Sequence, residues 1–212
     1  MQDRFRLLIF SFCMTLVACT DNRVGSRAPP TSGALQISRQ ALEPQAQAIV
    51  QQFAGRLKPA LISAIAEGGP VHAIDVCAET APGIARDLSA QFGWNVKRVS
   101  LKPRNTGTAR PDDWAKEVLT NFDTRTAQGE SPQVLVASEI VGDEFRFMKA
   151  QPTGPLCLTC HGKSIDPAVQ AAIDARYPND QARGYVEGEI RGGFYLTRQL
   201  GQSTPVTTQR TP

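Results

Sequence analysis

Two histidines and three methionines are all that the 212 residues contain. Of the histidines, His161 belongs to a motif discussed below, so His72 is the only one left over to carry a proton for catalysis. Charge is thin and nearly balanced: 23 Lys and Arg stand against 20 Asp and Glu, for a net +3. A nucleic-acid binder would need a basic patch and a higher pI, so no nucleic-acid partner is expected. No internal repeat of useful period is visible, and no segment reads as a kinase, a cyclase or a DNA-binding unit. Beyond the amino terminus no apolar run of spanning length stands out.

The amino terminus itself is distinctive. Arg4 and Arg6 make a positive start, and Leu7 to Val17 is an apolar run of the length of a signal segment. It ends in Leu16-Val17-Ala18-Cys19, which resembles the lipobox of bacterial lipoproteins, where the cysteine is acylated. An ordinary cleaved signal with a chance cysteine is the alternative. Residues 1–18 are thus expected to be a signal peptide and Cys19 a lipid-bearing first residue. Thr20 rather than aspartate follows, which favours the outer over the inner membrane of the periplasm. Residues 19–37, rich in Arg, Pro, Ser, Gly and Thr at the start, read as a tether. With Cys13 removed and Cys19 lipidated, only Cys77, Cys157 and Cys160 remain, so no disulfide framework is expected.

Cys157-Leu158-Thr159-Cys160-His161 is a C-x-x-C-H. Two thiols at this spacing can add to the two vinyl groups of one haem, and the following histidine can reach the iron. Cys157 and Cys160 are therefore expected to be thioether anchors of a single haem c, and His161 its first axial ligand. Two other chemistries use similar residues. A dithiol redox motif needs a βαβ setting with a helix beginning at the first cysteine, whereas Pro152, Gly154 and Pro155 precede it here without a buried parallel strand. A zinc site with Cys77 would require the adjacent Cys160 and His161 to share one small tetrahedral ion.

Periodicity predicts a long amphipathic helix over Glu43 to Glu67, bent or divided by Pro59 and ended by Gly68-Gly69-Pro70. Val71 to Val76 reads as a strand or extended approach to Cys77. A helix capped by Thr80 follows and stops at Gly93, which would put Cys77 near a helix amino terminus where the dipole favours a thiolate. Trp94 to Leu101 has strand composition, with Lys97, Arg98, Lys102 and Arg104 along a basic flank. Such charges are ordinarily solvated, but an arginine fork suits a haem propionate, and Arg104 is the candidate. A helix with an acidic first turn runs from Pro111 to about Gln128, and Val134 to Lys149 reads as a hairpin turning at Gly142-Asp143. Asp166 caps a short helix to Arg176, a strand occupies Gly188 to Leu200, and 201–212 reads as a disordered tail. The folded body is expected over 38–200.

No methionine follows the attachment motif, so the second axial ligand is not obvious. Met148, His72 and Cys77 are the candidates. The stretch Ala73-Ile74-Asp75-Val76-Cys77-Ala78-Glu79-Thr80-Ala81-Pro82-Gly83-Ile84-Ala85 resembles the A-I-x-V-C-x-x-x-A-P-x-I-A motif of a family of single-haem PAS-like proteins represented by a cyanobacterial c-type haem protein. Further blocks match in order: Gly93-Trp94-x-Val96-x-Arg98, Ser100-Leu101-Lys102, Arg104-Asn105, Pro111-Asp112, the attachment motif through Gly162, Tyr177-Pro178-x-Asp180-x-Ala182-x-Gly184-Tyr185, and Gly188-Glu189-Ile190-Arg191-Gly192. The likeness covers about Leu42 to Leu200. It departs after Asn105, where Thr106-Gly107-Thr108-Ala109 replaces the family's proline and asparagine.

The resemblance implies an α+β fold, a PAS-like antiparallel sheet flanked by helices with a long amino-terminal helix, and it implies Cys77 as distal ligand. A thiolate donor stabilises ferric iron and lowers the potential. The expected function is a lipid-anchored redox or small-gas sensor, with CO or NO reaching the ferrous iron and an unidentified periplasmic or membrane partner receiving the output. A low-potential electron-transfer cytochrome is the alternative, and a peroxidase-like enzyme a third for which a positioned proton carrier is lacking. No enzymatic activity is expected.

Overall fold

The computed structural model describes residues 32–201, with side chains from residue 39 onward. The signal segment, Cys19 and the tail beyond residue 201 lie outside the described residues.

Helix α1 (Ser32–Phe92) begins the described chain. In its first arm Leu42, Ala46, Ile49, Val50 and Phe53 are all buried, an inward stripe repeating every three to four residues. Helical dihedrals are lost only at Gly68 and at Gly69, whose φ of 74° suits glycine, so the break is there and Pro59 sits inside the helix. Pro70 then occupies the start of a second arm, where its missing amide hydrogen costs no bond. Val71 to Val76 is therefore helical and not a strand. Its β-branched residues are overridden by packing, because Ile74 is needed against Val169 and Ile173. The helix also reaches back to Ser32, so the last residues of the expected tether, 32–37, are helical.

The remaining elements are β1 (Asn95–Val99), α2 (Asp113–Ala127), β2 (Val136–Val141), β3 (Glu144–Pro152), α3 (Pro155–His161), α4 (Pro167–Arg176) and β4 (Ile190–Gln199). The strands make one sheet in the order β1-β4-β3-β2, with every pairing antiparallel. The fold is α+β, as expected, and the hairpin of β2 and β3 turns at Gly142-Asp143. Alternation along the strands divides the core. Val96, Phe145, Phe147, Phe194 and Leu196 meet both arms of α1 on one face. Val99, Met148, Ala150 and Tyr195 meet Leu119 and Phe122 of α2 on the other. Phe53 of α1 stands edge-on to Phe194 with ring centroids 5.3 Å apart.

By length and composition alone Arg39–Phe92 could cross a bilayer, its most apolar window having a mean hydropathy of 1.2. Its inward stripe is instead occupied by the sheet.

Candidate functional site

On the second arm of α1 the inward positions Ile74, Ala81, Ile84 and Leu88 are buried, yet Cys77, which shares their stripe, stays half-exposed. A stripe residue left partly exposed between buried neighbours marks a boundary in the packing. That boundary, here called the gap, separates two apolar clusters. Ala81, Ile84 and Leu88 join the sheet core, while Ile74 joins Val169 and Ile173 of α4 with Cys160, Ile165 and Tyr177 at the edge.

Helix α3 presents the C-x-x-C-H to this gap. Pro155 starts it two residues before Cys157, so Cys157, Cys160 and His161 fall at i, i+3 and i+4 and project from one side. Gly162 follows because a Cβ there would lie 2.6 Å from the Leu158 carbonyl oxygen. The motif is then tied to the segment after α4: the Tyr185 amide donates to the His161 carbonyl and the Gly184 amide to the Gly162 carbonyl, each at 3.0 Å. His161 Nδ1 donates to the Ala182 carbonyl at 2.7 Å, which leaves the Nε2 lone pair free to ligate. Burial, then the charges of Arg191 and Arg104, hold its pKa well below the usual histidine value, so the ring is neutral.

Cys77 and the motif share one electrostatic environment. Burial pushes the Cys77 thiol up, against the pull of Arg98, Arg191 and Arg104. Burial also raises Cys160, which feels both Cys77 and Cys157. The expected help from a helix amino terminus is absent, because Cys77 lies about two turns past Pro70 and the dipole acts within the first turn.

Two guanidiniums complete the lining. Arg98 extends from β1 on the α1 side of the sheet, its Cζ 5.7 Å from the centre of the Phe53 ring. Arg191 is the extra residue of a bulge: Gln151 pairs with Gly192 while Pro152 pairs with Ile190. Bulges re-aim a side chain, and this one turns Arg191 toward Cys157, whose thiol lies against its guanidinium. Among the described residues neither arginine forms an ion pair, and Arg191 Nε is buried without a hydrogen-bond partner. Burial first, and then the neighbouring Arg191, push the Arg98 guanidinium down to about 10. Two crowded cations without carboxylates beside an apolar gap are what a group with two carboxylates of its own requires. Two thiols, a free imidazole nitrogen, a half-open cysteine and this cation pair together fit haem.

Arg104, expected to meet a propionate, is engaged elsewhere. Its Nε and Nη2 donate to Asp180 and to the carbonyls of Cys160 and Ala182, which leaves only Nη1 without a hydrogen bond among the described residues. His72 is exposed beside the Gly68 break and stands outside the gap. Met148 is fully buried under α2, on the opposite face of the sheet. Arg98 stood on the basic flank but was passed over for Arg104, and Arg191 was not considered, although both sit inside the motif blocks quoted above. The departing loop after Asn105 closes on itself, with Asn105 Oδ1 accepting the Gly107 amide at 3.0 Å, and touches no candidate ligand.

A family model described as Tll0287-like matches residues 31–197. Among solved structures, the crystal structure of the cyanobacterial heme-protein Tll0287 is similar over 78% of this chain and 98% of its own, with 24% identity and a TM-score of 0.61. At that identity the likeness is one of fold. No curated protein matches.

Proposed function

This chain belongs to the Tll0287-like family, and we propose that it is a haem protein carrying one haem c, joined by thioethers to Cys157 and Cys160 and ligated by His161 and Cys77. One observation carries the reading: Cys77 and the C-x-x-C-H helix meet across a gap whose other lining is a pair of unpaired guanidiniums. Haem in that gap would supply a one-electron iron centre with room for a diatomic ligand whenever an axial position opens.

The two protein ligands are held unequally. His161 is fixed by its Nδ1 bond and by the backbone pairing of His161 and Gly162 with Gly184 and Tyr185. Cys77 depends on one helical arm that starts at the glycine break. It is the ligand free to leave, and the arm from Pro70 to Phe92 is the element that would feel its release. This asymmetry supports a sensor of redox state or of a small gas such as CO or NO, with two states that differ in contacts. Output would pass to a periplasmic or membrane partner, the protein being held at the membrane, the outer one by preference, through lipid on Cys19. The buried neighbours of Cys77 on both sides favour a second reading, a fixed ligand set for low-potential electron transfer. His72 is exposed and outside the gap, so the peroxidase-like reading gains no second histidine at the site among the described residues.

The test is denaturing extraction of the purified protein with acid and acetone, together with intact mass. Pigment that stays with the polypeptide, and a mass raised by one haem, are expected. Complete loss of colour into the solvent would sink the covalent reading.

A further inference from the structure

Arg104 joins three segments of the chain through one guanidinium. Its Nε donates to Asp180 Oδ1 at 3.1 Å, and its Nη2 reaches the Cys160 carbonyl at 2.5 Å, the Ala182 carbonyl at 3.3 Å and Asp180 Oδ2 at 3.4 Å. The Asp180 side chain is only 1% exposed. It is fixed in turn by Arg183 Nε at 2.7 Å and by the Ala182 amide at 3.0 Å. The Gln181 amide donates to the Pro103 carbonyl at 3.1 Å, so residues 180–182 are bound to 103–104 through both backbone and side chains.

The Ala182 oxygen is also the acceptor for His161 Nδ1, at 2.7 Å. One carbonyl thus receives a neutral imidazole and a cation. A guanidinium on a carbonyl oxygen draws its lone-pair density and fixes its direction, so the oxygen becomes a weaker acceptor for the second donor.

We propose that Arg104 is a positioning residue for the proximal side of the haem, acting through the Ala182 carbonyl to set the orientation and donor strength of His161. The inference rests on the haem reading given above and adds to it a route by which a residue outside the ligand set tunes the iron. A strong acceptor on Nδ1 gives the imidazole anionic character and stabilises ferric iron. Arg104 limits that character. Its positive charge, partly offset by Asp180, acts in the same direction, and loss of Arg104 therefore lowers the potential. Lysine keeps the charge but replaces the planar fork by one nitrogen at the tip of a flexible stem, which cannot reproduce the separate Nε and Nη2 contacts.

The experiment compares haem-loaded wild type with Arg104→Gln, Arg104→Lys and Asp174→Asn. Asp174 pairs with Arg183 at the outer end of the same network and does not reach Ala182. Optical redox titration and ferric EPR are the readouts, with melting temperature alongside. A lower midpoint in Arg104→Gln, a smaller drop in Arg104→Lys, altered ferric g-values in both and wild-type behaviour in Asp174→Asn are expected. If Arg104→Gln does not fold, Arg104→Lys carries the comparison. Arg104 variants that melt earlier but keep the wild-type midpoint and EPR would reduce Arg104 to a structural clamp and overturn the inference, leaving the haem reading intact. A wild-type protein that carries no haem would overturn both.

Discussion

Tyr195 and Asp112 tie the sheet to the helix that covers it. Tyr195 Oη donates to Asp112 Oδ2 at 2.9 Å, while Oδ1 of the same carboxylate accepts the Ala115 amide at 2.9 Å and caps α2. Asp112→Ala removes a cap worth about 1 kcal/mol and leaves a buried hydroxyl without its acceptor, a further ~1–3 kcal/mol. Tyr195→Phe loses only the shared bond, about 1 kcal/mol. Urea unfolding should rank Asp112→Ala as the more damaging, and the double variant should fall short of the sum because the two residues share that bond. Strict additivity would deny the coupling.

Cys77→Ala tests the distal ligand. The variant should keep covalent haem through Cys157 and Cys160, lose the ferric thiolate spectrum and shift its potential upward, since a strong anionic donor has gone. An unchanged ferric spectrum would remove Cys77 from the ligand set. In the wild type, CO binding to the ferrous protein supports the sensor reading, and a ferrous protein indifferent to CO supports electron transfer.

Arg98→Met and Arg191→Met should act with opposite sign in the two forms of the protein. Without haem, each substitution removes an uncompensated cation from a crowded site, which stabilises by about 1 kcal/mol, a low figure because solvent still reaches both groups. With haem, each removes a partner for a propionate. Melting temperatures measured in the haem-loaded protein, and again in a Cys157→Ala, Cys160→Ala background, should therefore move in opposite directions. Parallel changes would show that the two arginines do not serve the haem.

Asp180 gives the protein an acid limb. Burial alone would raise its carboxyl, yet the Arg183 side chain, the Ala182 amide and Arg104 together hold it below the ordinary carboxylate range. A carboxyl depressed on folding contributes stability that is present above its unfolded value, near 3.9, and is lost as the pH falls through the lower folded value. Asp180→Asn should be less stable than wild type at neutral pH, by about 1.5–3 kcal/mol for loss of hydrogen bonds to a charged group. The difference should shrink below about pH 4. A gap independent of pH would assign the effect to packing.

Cys19→Ala should release the protein from the membrane into the soluble periplasmic fraction, read by fractionation and blotting. Stable anchoring calls for more than one acyl chain, and the cysteine is where they would attach. Retention of the variant at the membrane would refute the lipid anchor.

Local signals in the sequence carried much of the fold. Asp166 caps α4 as expected, the helix expected from Pro111 begins at Asp113 with Asp112 as its cap, and the Gly142-Asp143 turn joins β2 to β3. Val71 to Val76 was misleading for a physical reason. Six residues with three β-branched side chains favour extension when read alone, and only the surface of α4, a hundred residues later, makes a helix the better solution. Cys157, Cys160 and His161 could be singled out as a candidate unit because their pattern is one of adjacent residues, and the structure sets the three on one side of α3. The companions of Arg104 could not, since Asp180 and Ala182 lie 76 and 78 positions away. Arg191 was hidden in another way: its direction is set by a bulge, and nothing in Ile190-Arg191-Gly192-Gly193 states which strand residue it will oppose.

The order of the strands also bears on the life of the chain before it folds. Among the described strands β4 is the last to be made, yet it lies between β1 and β3, so those two have no hydrogen-bonded connection until it arrives. Closure of the sheet must wait until the chain has been made past Gln199, and non-local strand pairing of this kind is slow. During that interval the C-x-x-C-H, which precedes β4 in the chain, is carried on an unclosed polypeptide. Under the proposed thioether attachment, the topology would leave a time window in which a maturation enzyme reaches both thiols, and later folding would draw Cys77 and the two arginines around the attached haem.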